Sequence, residues 1–275
     1  MVRIFLGLVF VVVAVAIAVT ALLLVRRRAP EGGFFTDGDR AAGVFGVLAT
    51  GFSVMLGFVV FLAFQSYDQS RTGATDEALV VGQQFETAQF LPTGVRARLS
   101  GELICYGRSV VYEEWPRMVN GTEGDTLNRW APELFRTLKT AEPVSNAEQA
   151  AYQKWLDQTS DRELGRSNRL HGAQGVLPGP LWAVLFFTGG VILVFMLFFA
   201  DRSEHAAVQA VLIGSVVAVL CATLLVIRQL ESPYNSGPGG LQPTAMKRTL
   251  VLLDKEVAVA GAKVPVPCDA AGRPV

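Results

Sequence analysis

Four stretches of this chain, Ile4 to Val25, Ala41 to Phe64, Leu181 to Ala200 and Ala206 to Ile227, contain no Asp, Glu, Lys, Arg or His. Each reaches the roughly 20 apolar residues that a helix needs to cross a hydrocarbon core of ~30 Å. Backbone groups in lipid must be satisfied within the segment, so such runs fold as helices. They predict a polytopic, all-α membrane protein. The charged fraction is only 17%, below the roughly 25% of soluble domains. The first stretch exceeds the h-region of a secretory signal and runs into Arg26-Arg27-Arg28 rather than a small-residue cleavage site, which reads as an uncleaved anchor.

The runs divide the sequence into residues 1–64 (a first pair of transmembrane helices), 65–180 (a polar domain), 181–227 (a transmembrane hairpin) and 228–275 (a polar tail). The polar domain has helical periodicity. Ala74, Ala78, Val81, Phe85 and Ala88 recur at spacings of four and three, and so nearly do Val95, Leu99, Leu103, Tyr106, Val110 and Glu113. Pro92-Thr93-Gly94 marks a turn between them, which predicts an antiparallel helical hairpin. A third segment follows Pro132, and a fourth starts at Ser145, whose hydroxyl fits a capping box with Glu148. In the tail, Thr244 to Glu256 predicts an amphipathic helix with Met246, Leu250 and Leu253 on one side, placed either on the membrane surface or on the domain. Val257 to Val266 is the one stretch with any strand character, and the last residues read as poorly ordered.

Formal charge is balanced, with 24 basic and 24 acidic residues, so nothing indicates a nucleic-acid surface. The lipid bilayer is the partner the composition names. No His, Cys or carboxylate spacing suggests a metal or a bound cofactor. Cys105 and Cys268 can pair only if both lie in an oxidising compartment. The short loop after Arg26-Arg27-Arg28, which also carries Arg40, obeys the positive-inside rule when it is cytoplasmic. That choice makes the helical domain extracytoplasmic, although Arg71, Arg166, Arg169 and Arg228 count against it.

Two features bear on function. Gly43, Gly46, Thr50, Ser53 and Gly57 share one face of the second span, and Ala207, Val211, Gly214, Ala218 and Cys221 form a similar stripe on the fourth. Small residues commonly mean close helix packing, within or between subunits; the sharper reading is a pore face of glycine and hydroxyls. The spans contain no ionisable residue to move or relay charge, which argues against pumps and proton-coupled transporters. The second feature is Glu113-Glu114 beside Trp115-Pro116. Adjacent residues on a helix point about 100° apart, so the two carboxylates do not share a substrate as glycosidase pairs do. With no nucleophile set and no phosphate loop, an enzyme is not expected. The stretch reads instead as the last turn of a helix stopped by Pro116, with one glutamate wet and the other paired with Arg71, Arg162 or Arg166.

The segments LGFVVFLAFQSYDQSRTGATDEA (from Leu56), LPTGVRARLSGELICYGRSVVYEEWPRM (from Leu91), LPGPLWAVLFFTGG (from Leu177) and ESPYNSG (from Glu231) resemble a family of uncharacterised bacterial membrane proteins with a bestrophin-like domain. The most specific portion is Tyr106 to Pro116. Its marker residues here are Tyr67, Asp68, Tyr106, Glu113, Glu114, Trp115, Pro116, Pro233 and Tyr234, the last standing where the family pattern has phenylalanine. The resemblance implies a multi-pass protein of the bacterial inner membrane with a helical domain between spans two and three. It also implies a homo-oligomer that passes an inorganic anion or small solute. The constriction and calcium clasp of animal bestrophins align with nothing here, so no channel residue carries over, and bestrophins hold the domain in the cytosol. A non-transporting membrane-anchored sensor or scaffold, whose domain binds an envelope partner, is the competing reading. Tyr67 and Trp182 fit interfacial anchors, and Asp68 fits a cap for the next helix or a partner for Arg71.

Overall fold

The computed structural model describes residues 2–120, 128–175, 177–235, 237, 239–260 and 264–275. Among these the fold is helical, without a named strand. In order come α1 (Val2–Arg26), α2 (Gly38–Ala88), α3 (Thr93–Ser109), α4 (Trp115–Val119), α5 (Trp130–Leu138), α6 (Asn146–His171), α7 (Gly179–Leu197), α8 (Ala206–Glu231) and α9 (Thr244–Ala260). Four of them, α1, α2, α7 and α8, are long and apolar enough to cross a membrane. The chain forms two compact units: Met1–Gln65 with Val176–Glu231 and Gly237–Gly239, and Ser66–Gly175 with Ser232–Ser236 and Gly240–Val275.

In the membrane unit, α1 packs on α8. A Cβ on Gly214 would meet Val15 at 3.3 Å and Val19 at 3.8 Å, and Leu22, Ile213 and Val217 are buried around that approach. The other cluster joins Phe52, Leu56 and Val59 of α2 to Leu185 and Ile192 of α7 and Ile227 of α8. Arg26, at the end of α1, donates to the main-chain carbonyls of Asp201 (3.1 Å), Arg202 (3.1 Å) and Glu204 (2.5 Å). It thereby ties the α1–α2 connection to the α7–α8 connection. Phe35 lies 5.1 Å from Phe199 and 5.8 Å from Phe195 between ring centroids, closing the same end.

In the polar unit, α3 is central, with Gly101 through Gly107 all buried. The second half of α2 runs antiparallel to it: Gln89 reaches Ser100 and Glu77 reaches Tyr106. The apolar face read from the sequence is the one buried, through Ala78, Val81, Phe85 and Ala88 against Val95, Leu99, Leu103 and Val110. On the other side of α2, α6 comes close through glycine. A Cβ on Gly73 would stand 2.5 Å from the Arg169 nitrogen, and one on Gly165 would stand 2.8 Å from the Glu77 nitrogen. The Ser145–Glu148 capping box starts α6, with Glu148 N donating to Ser145 Oγ at 3.2 Å and Ser145 N to Glu148 Oε2 at 2.9 Å.

Four expectations from the sequence need correction. Pro116 does not stop the helix: Val110–Glu114 form a π-helical turn in which Trp115 N–H reaches Val110 O, and the chain continues as α4. The wider turn opens the ladder where the proline ring would otherwise meet the carbonyl four residues back. Asp68 caps nothing, because α2 runs unbroken past it. The end of the chain is packed rather than loose. Cys268 is disulfide-bonded to Cys105, Trp130 Nε1 donates to Gly272 O at 2.7 Å, and Gly272, at φ 84°, lies against Ser109. The stretch 257–266 opens on the last residues of helix α9, residues 261–263 lie outside the described residues, and the only pairing nearby among the described residues is an isolated Cys268–Pro274 bridge. For α9 the two alternatives resolve, since Met246 and Leu253 join the core of the polar unit and Met246 and Leu250 crowd Gly107 of α3.

Candidate functional site

Four of the family-marker residues, Tyr106, Glu114, Trp115 and Tyr234, gather inside the polar unit around the ion cluster of Arg169, a cation the sequence does not suggest as a partner for either glutamate. Arg169 of α6 is 0% exposed. Its Nε and Nη2 donate to the two oxygens of Glu77, on α2, at 2.5 and 3.0 Å, and Nη2 also donates to Glu114 Oε2 at 2.6 Å. Arg166 adds a second cation 3.6 Å from Glu114. Tyr106 donates its hydroxyl to Glu77 Oε1 at 2.6 Å, and Asn128 Nδ2 donates to Glu114 Oε1 at 2.7 Å. Two carboxylates and two guanidiniums therefore meet with their oxygens satisfied, which is the condition for burying charge at tolerable cost.

Aromatic residues enclose this cluster. Trp115 lies 5.9 Å from the Arg169 guanidinium and packs edge-on against Tyr234 at 5.3 Å, and its indole donates to Leu241 O at 3.3 Å. Tyr234 donates its hydroxyl to the Arg169 carbonyl at 2.5 Å, a bond that phenylalanine at this position would not make. Pro233 sits where a Cβ on Gly172 would meet it at 2.9 Å. Next to the cluster, Arg162 stacks 4.8 Å from the Tyr106 ring and donates to Gln84 Oε1 at 2.9 Å.

The electrostatics follow from these neighbours. Burial pushes the Glu114 carboxyl upward, but the charges of Arg169 and Arg166 and the bonds from Arg169 and Asn128 outweigh it and hold the group below its ordinary value. Burial and the charge of Glu77 push the Tyr106 phenol well above its usual range. Burial works against the Arg169 cation, yet Glu77 and Glu114 more than compensate, so it stays charged. Glu102, on another face of α3, is the contrasting case. Its Oε1 accepts from Thr137 at 2.7 Å while its Oε2 has no partner among the described residues, and burial raises its carboxyl.

Glu113 behaves differently from Glu114. It accepts from Ser109 at 3.1 Å and lies 3.5 Å from Arg273 of the tail. Of the partners expected for the pair, Arg166 alone is found at Glu114, and the principal one is Arg169; Arg162 turns to Gln84 and Glu163, and Arg71 is exposed. Tyr67 is half-buried against the core, and Asp68 is exposed. The two glutamates, with Asn128, Trp130 and Pro274, border a cleft of about 580 Å³. Among the described residues no three His, Cys, Asp or Glu converge as a metal set.

The small-residue face of α2 lies in the membrane unit and is unused within the subunit. A Cβ on Gly43, Gly46 or Gly57 would meet nothing within 4 Å, and Thr50 and Ser53 are exposed. Between them Val47 and Val54 are 75% and 68% exposed. The similar stripe on α8 differs: Gly214 is taken up by α1, and Cys221 packs in the same cluster.

Residues 11–246 match the family model of the Bestrophin-like domain. The chain belongs to the bestrophin-like family. Its fold is similar to solved structures of a bacterial bestrophin homologue from Klebsiella pneumoniae carrying single mutations. One superposes with a TM-score of 0.67 at 12% identity over 93% of this chain and 98% of the other. A second gives 0.64 at 14% identity over 92% and 99%. A structure described as a membrane protein gives 0.65 at 13% identity over 95% and 100%. At these identities the likeness concerns the fold. A comparison with curated proteins finds no significant match.

Proposed function

We propose that this bestrophin-like protein is a homo-oligomeric channel for an inorganic anion or small solute, with α2 facing the pore axis. The observation that carries the proposal is the unpacked face of Gly43, Gly46, Thr50, Ser53 and Gly57. A helix whose glycines would meet no neighbour and whose hydroxyls are exposed gains by facing other copies of itself or water rather than lipid. Span four does not share this role along its whole stripe, since Gly214 is engaged with α1.

We further propose that the helical domain is extracytoplasmic, opposite to the bestrophin arrangement. Three observations support this orientation. The Cys105–Cys268 disulfide requires an oxidising compartment. Arg27 and Arg28 of the α1–α2 connection and Arg40 in the first turn of α2 are joined at this end by Arg202 on the α7–α8 connection, to which Arg26 is bonded. Arg166 and Arg169, which counted against this orientation in the sequence, are neutralised inside the domain by Glu77 and Glu114.

The test is a planar-bilayer recording of the purified protein together with its mass in detergent. Unitary currents from a ring-sized oligomer are the expected result. Silent bilayers and a monomer would overturn the proposal in favour of a membrane-anchored sensor or scaffold.

A further inference from the structure

The membrane unit contains a cavity of about 380 Å³ at the end where α1 and α7 finish and α2 and α8 begin. Its walls are apolar, with Leu22, Phe45, Met196 and Phe199 from three helices, and two polar side chains, Glu204 and Gln209, complete the lining. That volume lies within the roughly 300–1,000 Å³ of small-molecule sites.

Gln209 is 6% exposed, and its amide orientation is fixed by two acceptors. Nε2 donates to Asp201 O at 2.9 Å and to Glu204 Oε2 at 3.2 Å, neither of which could serve the amide oxygen. Gln209 Oε1 is therefore a buried acceptor, and it has no donor among the described residues. Leaving such a buried acceptor unpaired is costly, so a ligand that brings a donor is favoured. Glu204 sets the sign of that donor. It enters no ion pair among the described residues, and the nearby Arg26 guanidinium is engaged with main-chain carbonyls rather than with the Glu204 carboxylate. A carboxylate beside an unfilled amide acceptor selects a cation with N–H donors over a neutral hydroxyl or an anion.

We propose that this cavity binds an amphiphile with a primary ammonium head, the ammonium meeting Gln209 Oε1 and Glu204 and the chain lying along Leu22, Phe45, Met196 and Phe199. An ethanolamine phospholipid of the bilayer and a free long-chain amine share this chemistry. The site does not depend on whether the protein conducts.

The experiment is native mass spectrometry of the full-length protein, delipidated in detergent and titrated with dioleoyl phosphatidylethanolamine, dioleoyl phosphatidylglycerol or dodecylamine. Binding of the ethanolamine lipid in preference to the glycerol lipid by about fivefold, the size of one partly exposed ion pair, is the expected result and identifies the bilayer as the source. Binding of dodecylamine without the ethanolamine lipid supports the ammonium site and assigns it to a free amine. Glu204→Gln, at an exposed position that leaves the fold intact, is expected to remove the preference, and Gln209→Leu to weaken ammonium binding further. Equal retention of the two lipids with no dodecylamine bound, or ammonium binding unchanged in Glu204→Gln and in a folded Gln209→Leu, overturns the proposal.

Discussion

Replacing Arg169 by methionine removes the cation on which the buried cluster is built. Met is close in length and leaves no cavity large enough to dominate, so the effect reports charge. In the variant, Glu77 at 0% exposure loses both donors from Arg169, and Glu114 at 6% keeps only Asn128 and the more distant Arg166. Breaking a buried pair from one side typically costs about 3–5 kcal/mol. At about 2–4 °C per kcal/mol for a body of this size, the melting point falls by roughly 6–20 °C. Tryptophan fluorescence during a thermal ramp of the detergent-purified protein reads this directly, since Trp115 lies 5.9 Å from the guanidinium. A triple variant, Glu77→Gln with Glu114→Gln and Arg169→Met, leaves no uncompensated carboxylate and should melt above the single variant. A single variant within about 1 °C of wild type, or a triple variant no better than the single, would refute the buried-charge reasoning.

The two buried carboxyls of α3 and its π turn should show opposite dependence on pH. Glu114 has a lowered pKa, so its contribution is present above the ordinary value of 4.5 and disappears as pH falls through the folded value, and acid melting should be blunted in Glu114→Gln. Glu102 has a raised pKa, so stability is complete below 4.5 and declines as pH rises through the folded value; Glu102→Gln should melt higher than wild type at pH 7 and not at pH 4. For the disulfide, a maleimide-polymer gel shift on denatured, unreduced protein should modify only Cys221, and reduction should expose Cys105 and Cys268 as well. Three modified cysteines without reduction would contradict an extracytoplasmic domain.

The membrane helices and the core faces of α2, α3 and α9 were legible because burial there is carried by apolar residues at helical spacing. The cluster at Arg169 was only half legible. Glu114, Trp115 and Tyr106 stood out as a motif, but Arg169 and Glu77 looked like ordinary surface charges. A signal did exist. Ala151, Trp155, Gln158, Arg162, Gly165 and Arg169 recur at spacings of four and three and are all buried, so α6 has a core-facing stripe that happens to be polar. Glu77 likewise sits beside Ala78 on the buried face of α2. A search for apolar residues passes over such a stripe, and the glycines at Gly73 and Gly165, where α2 and α6 approach closely, are a further signal that such a search does not weigh. The π turn was not legible, because Pro116 normally ends a helix and only the neighbouring backbone shows how the ring is accommodated. The packed tail was missed because its order comes from Cys105, Trp130 and Gly101, more than 130 residues away in sequence from the residues they hold.

As a channel, this protein would line its conducting pathway with the small-residue face of α2. Ser53 is exposed on that face and donates only to Ala49 O of its own helix at 2.8 Å, so Ser53→Cys preserves the fold. The decisive measurement is the current through purified Ser53→Cys protein, carried in a background lacking Cys221, before and after a charged methanethiosulfonate reagent is added. The expected result is a current that the reagent alters in Ser53→Cys and leaves untouched in the background protein. A current that ignores modification at position 53, or no current from either protein, would contradict it.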